Sequence, residues 1–410
     1  MNIETNKILN GDALSKLKEL PSESVNCIMT SPPYWVLRDY GINGQLGLEP
    51  TFQEYINKLC DIFDEAKRVL KNDGTCWVNL GDTYGGSENS SGHTEETTNC
   101  GKITKDYGAS KGNQKATKGM EKSLCNIPAR FSIEMQNRGW ILRNVIIWHK
   151  PNCMPCSVKD RFTIDFEYLF FFVKSKKYWF ETQYERLAES SFNDKRKDKG
   201  LVPHKSGKSF DNHLIENYKV EKPLLKQDLT GNPTYTGFNQ RYAISGTCIN
   251  SLGRNKRAVW MITTKPFKEA HFATYPEELC EVPIKAGCPE FICNKCGKAR
   301  EKILESKGTG IDYSNKGNYK REIPTDNPST KFNRNASHLT SAEYEFKGYS
   351  DCGCNAGFSG GICLDPFFGA GTTGLVALKQ NKKFIGIELN PEYIKIAESR
   401  LKPLLEQNKL

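Results

Sequence analysis

The sequence Val25-Asn26-Cys27-Ile28-Met29-Thr30-Ser31-Pro32-Pro33-Tyr34-Trp35 joins a mostly apolar run to a hydroxyl residue, two prolines and two aromatic residues. The apolar run predicts a buried strand. Two consecutive prolines fix the backbone φ angle and remove two N–H donors, so we expect a rigid turn with outward-facing carbonyls. Such a turn suits a planar molecule that bears an amino group, such as a nucleobase. A purely structural Pro-Pro turn with packed rings is the alternative for this motif alone.

A second motif lies near the other end of the chain. Residues 361–365 are typical of a short buried strand, and Pro366-Phe367-Phe368-Gly369-Ala370-Gly371-Thr372-Thr373-Gly374 follows. A helix is predicted from about Thr372 to Gln380, and the next strand, from Lys383, ends at Glu388. A strand, a glycine-rich turn, a helix and a strand ending in an acid form the arrangement that binds nucleotide cofactors. The glycines let the backbone approach the ligand, and the acid accepts hydrogen bonds from ribose hydroxyls.

Together the two motifs resemble those of amino-methylating DNA methyltransferases. Residues 30–35 upstream, with 365–374 and Ile387-Glu388-Leu389-Asn390-Pro391 downstream, follow the order of the β group, in which the catalytic motif precedes the cofactor motif. The resemblance covers both ends and much of the middle, but not roughly 86–123 or 186–250. It implies an α/β, Rossmann-like fold with a mixed sheet, a circularly permuted motif order and S-adenosyl-L-methionine as cofactor.

The resemblance implies that a base is flipped out of the duplex onto a catalytic turn formed by Ser31, Pro32, Pro33 and Tyr34. The lone pair of an exocyclic amine is delocalised into the ring, so the amine is a poor nucleophile. Acceptors at Ser31 Oγ and the Pro32 carbonyl would hold its hydrogens and turn the lone pair toward the sulfonium methyl. Tyr34 would stack on the base, and residues 148–151 would form part of the surrounding wall. Methyl transfer would then depend on positioning, without a covalent intermediate.

The resemblance also implies which residues bind the cofactor. Gly369 and Gly371 would admit the methionine part of S-adenosylmethionine, and Asp365 would fix its polar end. Asp12, at the end of the first predicted strand, would contact the adenine; an ordinary helix N-cap is the alternative for this residue. The full predicted set is Asp12, Asp365, Phe367, Gly369, Gly371, Thr372 and Glu388.

The residue before Pro-Pro-Tyr bears on the choice of target base. Serine at this position is associated with N4-cytosine enzymes, whereas Asp or Asn is more common in N6-adenine enzymes, so Ser31 favours cytosine N4 and leaves adenine N6 as the alternative. Attack at cytosine C5 is excluded, because Pro155-Cys156-Ser157 lacks the glutamine of a Pro-Cys-Gln motif and lies outside the catalytic turn. A non-catalytic, zinc-containing DNA-binding protein is a further alternative, against which the two intact motifs argue.

Two pairs of cysteines interrupt the cofactor half of the chain. The first is Cys293-Asn294-Lys295-Cys296-Gly297, the knuckle of a zinc ribbon, and the second is Cys352-Gly353-Cys354. Four thiolates complete a tetrahedral zinc site with no open position, so Cys293, Cys296, Cys352 and Cys354 predict a structural Zn²⁺. Cys288 is an alternative ligand, and four free thiols are the alternative to a metal site.

The motifs predict a division of the chain into four parts. Residues 1–185 are the catalytic half of the methyltransferase domain, and 186–258 are the target-recognition region. The cofactor-binding half comprises 259–287 and 361–410, and a zinc-ribbon-like insert spans 288–360.

Two stretches within these parts have an unusual amino-acid composition. Residues 86–123 have almost no aliphatic residues, so we expect a mobile loop or a plain disordered insertion. Residues 191–258 contain thirteen Lys and Arg against six Asp and Glu. Those basic residues would bind phosphates while a few other side chains read bases, unless the region is only a solvated basic face.

The length, cysteine count and net charge of the chain indicate its class and its partners. The chain has 410 residues, fifteen cysteines and a formal net charge of +10, which suits double-stranded DNA as partner. The N-terminus lacks a signal layout and the sequence lacks a long apolar span, so we expect a soluble, cytoplasmic protein of a prokaryote or phage. Disulfides are not expected there. Because the sequence carries no identifiable nuclease motif, a cognate restriction endonuclease would be a separate protein.

Overall fold

The structure is a computed structural model that describes residues 3–37, 40–85, 117, 119–156, 158–185, 252, 254–265, 275–307 and 343–407. The chain divides into two compact units. The larger comprises residues 1–183, 257–300 and 351–410, and the smaller comprises 184–256 and 301–350. Most of the predicted mobile loop 86–123 and of the target-recognition region 186–258 lies outside the described residues.

One eight-stranded sheet forms the centre of the larger unit. In order across the sheet, its strands are β1 (Lys7–Asn10), β14 (Lys383–Glu388), β13 (Ile362–Asp365), β2 (Val25–Thr30), β3 (Leu70–Leu80), β5 (Phe166–Val173), β4 (Ile141–His149) and β8 (Val259–Met261). Strand β5 pairs antiparallel with both neighbours, and the other pairings are parallel. The predicted α/β class with a mixed sheet is confirmed.

The two ends of the chain meet in the middle of this sheet. Strand β13 pairs with β2, where Cys363 lies opposite Cys27 and Leu364 opposite Ile28. The last strand, β14, pairs with both β13 and β1. Since β1, β2, β13 and β14 are parallel, their carboxyl ends lie at one edge of the sheet, where ligands bind in open α/β sheets. The permuted motif order is therefore compatible with one shared site.

Helices cover both faces of the sheet. In the described part of the larger unit they are α1 (Ala13–Glu19), α2 (Phe52–Val69), α3 (Ile127–Asn137), α4 (Glu277–Gly287), α5 (Thr372–Lys379) and α6 (Pro391–Gln407). One buried cluster combines Ile28 with α1, α2 and α3, and the other combines Met29 with α4, α5 and α6. Successive strand residues point to opposite faces, so β2 contributes to both cores. No described helix is long and apolar enough to cross a membrane.

The remaining described strands are short pairs. In the larger unit, β9 (Ile292–Cys293) pairs antiparallel with β12 (Phe358–Ser359). In the smaller unit, β6 (Tyr184–Glu185) pairs with β7 (Arg254–Asn255), and β10 (Lys302–Lys307) pairs with β11 (Glu343–Tyr349). The four cysteines of the predicted zinc site all belong to the larger unit, whereas the hairpin between them belongs to the smaller one. The bounds predicted for the zinc-ribbon-like insert stay a prediction.

Candidate active site

A cavity of about 640 Å³ lies in the larger unit, at the carboxyl edge of the sheet. Its volume falls within the range of pockets that hold small ligands and cofactors. Its wall includes residues from both ends of the chain: Asp12, Ser31, Pro32, Pro33, Tyr34, Pro366, Phe367, Gly369 and Glu388. Tyr34 and Gly369 thus face the same cavity, and the predicted meeting of the catalytic and cofactor motifs is confirmed. Trp148 and Lys150, from the predicted wall segment, also line it.

The catalytic turn is fixed by contacts with neighbouring elements. Tyr55 Oη donates a hydrogen bond to the Pro33 carbonyl at 2.8 Å, and Trp35 Nε1 donates to the Glu49 carbonyl at 3.0 Å. Pro32 is buried, while Ser31 is half-buried at the cavity wall. The Pro33 carbonyl is thus engaged within the protein, whereas Ser31 and Pro32 both lie at the cavity wall.

Asn79, on β3, orients the hydroxyl of Ser31. Ser31 Oγ donates to Asn79 Oδ1 at 3.2 Å. The amide of Asn79 is held in turn, because its Nδ2 donates to Glu167 Oε2 and to the Tyr168 carbonyl, both at 3.1 Å. A serine that gives its only hydrogen to Asn79 keeps its lone pairs for an incoming donor. This arrangement prepares Ser31 to accept a hydrogen from an amino group.

Glu167 joins the same network through Tyr34. The Tyr34 hydroxyl donates to Glu167 Oε2 at 2.7 Å and lies 3.0 Å from Asn79 Oδ1. Lys150 forms an ion pair with Glu167 Oε1, and its ammonium lies 4.5 Å from the centroid of the Trp148 ring. Burial, followed by the charge of Glu167, raises the pKa of Tyr34 well above its ordinary value. Tyr34 therefore stays neutral, with its ring held at the cavity wall.

The sequence alone did not single out Asn79 or Glu167 as site residues. Neither belongs to a motif, and each lies within an apolar strand pattern that predicts only core. The available signal was position, because Asn79 is close to the carboxyl end of β3 and Glu167 close to the start of its antiparallel neighbour β5. Both positions come to the edge of the sheet that carries the catalytic turn.

Asp365 is completely buried at the end of β13 and does not line the cavity. Its Oδ1 accepts from Thr30 Oγ1 at 2.5 Å and from the Phe367 amide at 3.0 Å. Its Oδ2 accepts from Thr373 Oγ1 at 2.7 Å and from Tyr275 Oη at 3.2 Å. Burial raises the pKa of this carboxyl, against the opposing effect of these donors. The contact with the polar end of the cofactor that the resemblance implies would require a donor to be displaced.

Glu388 ends β14 and lines the cavity beside Gly369. Its Oε2 accepts from the Gly369 amide at 2.7 Å, and its Oε1 accepts from the Asn390 amide at 2.8 Å. Burial raises the pKa of Glu388. A carboxylate oxygen can accept more than one hydrogen bond, so Glu388 retains acceptor capacity for ribose hydroxyls.

The other predicted cofactor residues divide into two groups. Asp12 lines the cavity and also caps α1, because its Oδ1 accepts from the Ser15 amide at 2.9 Å. Gly371 has a φ of 78°, and a β-carbon there would lie 3.0 Å from Ala397 Cβ in α6. Thr372 is buried and accepts from Arg400 Nη1 at 3.3 Å. Neither Gly371 nor Thr372 lines the cavity, so both shape the turn from behind.

The four cysteines predicted to bind zinc come together. The Sγ atoms of Cys293, Cys296, Cys352 and Cys354 all lie within 4.8 Å of one another. Hydrogen bonds from the Cys296 and Lys295 amides lower the pKa of Cys293 to about 6. Cys288, the alternative ligand, is buried outside this cluster. Four converging thiols, one of them stabilised as thiolate by amides, fit the donor set of a structural Zn²⁺.

Known proteins resemble this chain over most of its length. The DNA methylase family model, N6_N4_Mtase, matches residues 25–296 and 351–399. The Type II methyltransferase M.Cfr9I of Citrobacter freundii is 34% identical over 395 residues, which cover 96% of this chain and 87% of that protein. The Type II methyltransferase M.SmaI of Serratia marcescens is 30% identical over 402 residues, covering 98% and 92%. A solved PvuII DNA methyltransferase (cytosine-N4-specific) is 15% identical, covers 99% of this chain and 92% of that one, and has a TM-score of 0.47.

Proposed function

The chain belongs to the N6/N4 DNA methylase family, and from this premise we propose that it methylates the exocyclic N4 amine of cytosine in duplex DNA. The methyl donor is S-adenosyl-L-methionine. The observation that carries the proposal is the common cavity lined by Tyr34 of the catalytic turn and Gly369 of the cofactor turn. A planar base and a methyl donor can meet there only if the base leaves the duplex.

Within this proposal, the chain acts by orienting the amine. Ser31 Oγ, whose hydrogen is given to Asn79, accepts a hydrogen of the amine together with the Pro32 carbonyl. Hydrogen bonds from both amine hydrogens to these acceptors would direct the nitrogen lone pair to the opposite side, toward the sulfonium methyl. As the N–C bond forms, the S–C bond breaks, S-adenosylhomocysteine leaves and the nitrogen releases one proton. Tyr34 stacks on the base, because its ring is held at the cavity wall by Glu167. Pro33 keeps the turn rigid, and this preorganisation supplies the rate enhancement.

The cofactor is proposed to lie along the cavity residues contributed by the chain ends. Glu388 accepts from the ribose, Asp12 contacts the adenine, and Phe367 and Gly369 border the methionine part. Asp365, Gly371 and Thr372 act one layer behind this wall. Asp365 does so by joining the cofactor turn to Thr30 of β2 through a 2.5 Å hydrogen bond.

Cytosine N4 is preferred to adenine N6 because of the residue at position 31. A serine hydroxyl is the feature of this motif associated with cytosine, and Asn79 keeps it available as an acceptor. Adenine N6 is the second candidate, since the family takes in both activities. An amine on either base meets the same two acceptors, so the cavity alone does not separate them.

We further propose that Cys293, Cys296, Cys352 and Cys354 bind a structural Zn²⁺. The approach of their four Sγ atoms to within 4.8 Å supports this assignment. With four thiolates the metal has no open position, so it has no part in methyl transfer. Residues 186–258 are proposed to recognise the target sequence, and any cognate restriction endonuclease to be a separate protein.

Methylation of a defined duplex, followed by mass spectrometry of the nucleosides, tests the proposed function. N4-methylcytosine is the expected product, and a reaction without S-adenosylmethionine is the control. N6-methyladenine as the only product would overturn the base assignment but not the methyltransferase. If neither product forms and S-adenosylmethionine does not bind in equilibrium dialysis, a non-catalytic DNA-binding protein becomes the better description.

A further inference from the structure

The loop between β4 and β5 presents apolar side chains to solvent. Phe162 is 97% exposed and Met154 is 89% exposed. A single exposed apolar residue is ordinary, and it needs no explanation. Phe162 and Met154 belong to the same loop, and large apolar side chains with so little cover are suited to contact with another molecule.

The base of this loop is held firmly in place. The Asn152 side chain pairs with the backbone of Thr264, donating to its carbonyl and accepting from its amide, both at 2.9 Å. The Lys150 amide donates to the Asp165 carbonyl at 2.7 Å, which closes the two ends of the loop. His149 Nε2 also lies 3.2 Å from Asp165 Oδ2. The exposed side chains are therefore carried by a loop whose ends are anchored.

The base of the loop is also part of the cavity wall. Lys150, the first residue of the loop, lines the cavity. Glu167, shortly after the loop, and Thr264, which pairs with Asn152, also line it. Lys150 and Glu167 form an ion pair within that wall. The loop consequently leaves the protein at the rim of the cavity that is proposed to hold the target base.

Charged side chains accompany the two apolar ones. Lys159 and Arg161 are exposed within three positions of Phe162. The Arg161 guanidinium lies 3.3 Å from the centroid of the Tyr84 ring, which gives this side chain a preferred direction. The acid between them, Asp160, is paired with Lys122 at 3.0 Å. The loop therefore combines apolar side chains with positive charge, a combination that fits nucleic acid.

We propose that this loop is the wedge that enters the duplex when the target base is flipped. Phe162 and Met154 occupy the space that the base vacates and contact the bases on either side, while Lys159 and Arg161 bind the adjacent phosphates. Removing a base from the stack exposes its neighbours, and apolar side chains that cover them offset part of this cost. The inference rests on the proposed function, because it requires that a base be flipped.

The test is single-turnover methylation by Phe162→Ala at saturating cofactor and DNA. On a matched duplex we expect the rate to fall by about 10-fold, the scale of losing one stacking contact. On a duplex whose target base is mismatched, which is already weakly paired, the variant is expected to approach the wild-type rate. Ile133→Ala, which removes a 58% exposed side chain on α3, is the control and should behave as wild type on both substrates.

Each outcome of this test has a defined meaning. An equal rate for Phe162→Ala and wild type on the matched duplex overturns the wedge while leaving the methyltransferase intact. An equal loss on matched and mismatched duplexes also overturns it, since a wedge matters only when pairing must be broken. A wild-type rate of Phe162→Ala on the mismatched duplex excludes a folding defect in that variant. Phe162→Trp retains an aromatic wedge and should keep the matched-duplex rate; a loss there equal to that of Phe162→Ala would also overturn the wedge. Inactive wild-type protein would defeat the proposed function and the wedge together.

Discussion

Gly81 lies directly against the ring of Tyr34, so closely that a β-carbon at position 81 would come within 2.6 Å of Tyr34 Cε2. Gly81 is the residue immediately after β3, and it is buried. The Tyr34 ring is thus limited by backbone at its edge and held by Glu167 at its hydroxyl, 2.7 Å away. The plane on which a base is proposed to stack is therefore fixed before the base arrives.

Gly81→Ala is expected to displace the Tyr34 ring and slow methylation by about 100-fold, because small misplacements of reacting groups have effects of this order. Cofactor affinity should not change, since Gly81 does not line the cavity beside Glu388. Single-turnover rates and equilibrium dialysis with labelled S-adenosylmethionine measure the two quantities. A variant with the wild-type rate would show that the position of Tyr34 is unimportant.

Ser31→Ala is expected to bind S-adenosylmethionine normally and lose about 100-fold or more in turnover, the typical effect of removing one polar group that acts on the transition state. Ser123→Ala removes an exposed hydroxyl elsewhere in the larger unit and serves as the matched control. The same dialysis and rate measurements apply. Normal turnover by Ser31→Ala would remove the role assigned to its hydroxyl.

Asn79→Ala tests whether Ser31 must be oriented. Without Asn79 Oδ1 at 3.2 Å, the Ser31 hydroxyl can rotate and direct its hydrogen toward the amine instead of its lone pair. We expect an intermediate loss of about 10-fold, matching one net hydrogen bond. In the Ser31→Ala background the same substitution should have little further effect. Two independent, multiplicative losses would mean that Asn79 does not act through Ser31.

The affinity for the cofactor should depend on pH through Glu388. Burial raises the pKa of this carboxyl, so it takes up a proton at a higher pH than an exposed glutamate does. Protonation removes acceptor capacity that the ribose hydroxyls are proposed to use. Affinity should therefore be full above the raised pKa and decrease as the pH falls through it. Glu388→Gln should bind more weakly with a flat profile; a pH dependence that persists in this variant must come from another group.

Removal of the metal should affect stability and leave the chemistry in place. Purified protein is expected to contain one zinc ion per chain, measured by mass spectrometry of the metal, and Cys296→Ser should lose it. The Tm should fall in that variant, because metal binding contributes directly to folding free energy. Cys156→Ser changes an exposed thiol outside the cluster and should keep both the zinc and the Tm. Metal-free protein with an unchanged Tm would argue for free thiols.

The two turns that meet at the cavity, proposed as the catalytic and the cofactor turn, could be located from sequence because each is encoded by residues adjacent in the chain. Two prolines after an apolar strand and glycines before a helix act through local φ restrictions, which require no knowledge of distant partners. The predicted strand ending at Glu388 and the helix from Thr372 agree with the structure to within one residue. Family resemblance added the order of the motifs and hence the expectation that the chain ends meet.

The role of Asp365 could not be deduced in the same way. Its motif suggests an acid near a cofactor, yet its oxygens accept hydrogen bonds from four groups of the protein, and its nearest donor is Thr30, 335 positions away. The hydrogen-bond donors that reach a buried carboxylate are decided by tertiary packing, so its partners cannot be read from the local sequence. Gly371 combines both kinds of cause: its φ of 78° by itself favours glycine, whereas the close approach of Ala397 in α6, 3.0 Å from a β-carbon at position 371, depends on tertiary packing.

Local sequence thus decided where the strands end and which turns follow them, since backbone φ restrictions and apolar periodicity act over a few residues. The order of the strands across the sheet, and with it the network that links Ser31, Asn79 and Glu167, was decided by tertiary structure. In the sequence, Asn79 is 48 positions from Ser31 and 88 positions from Glu167. The three side chains come into contact because β3 pairs with β2 on one side and with β5 on the other. A hydrogen bond between two side chains requires their donor and acceptor atoms to be placed to within about an ångström, and strand pairing and register decide that placement. A sequence pattern specifies only that each strand is buried.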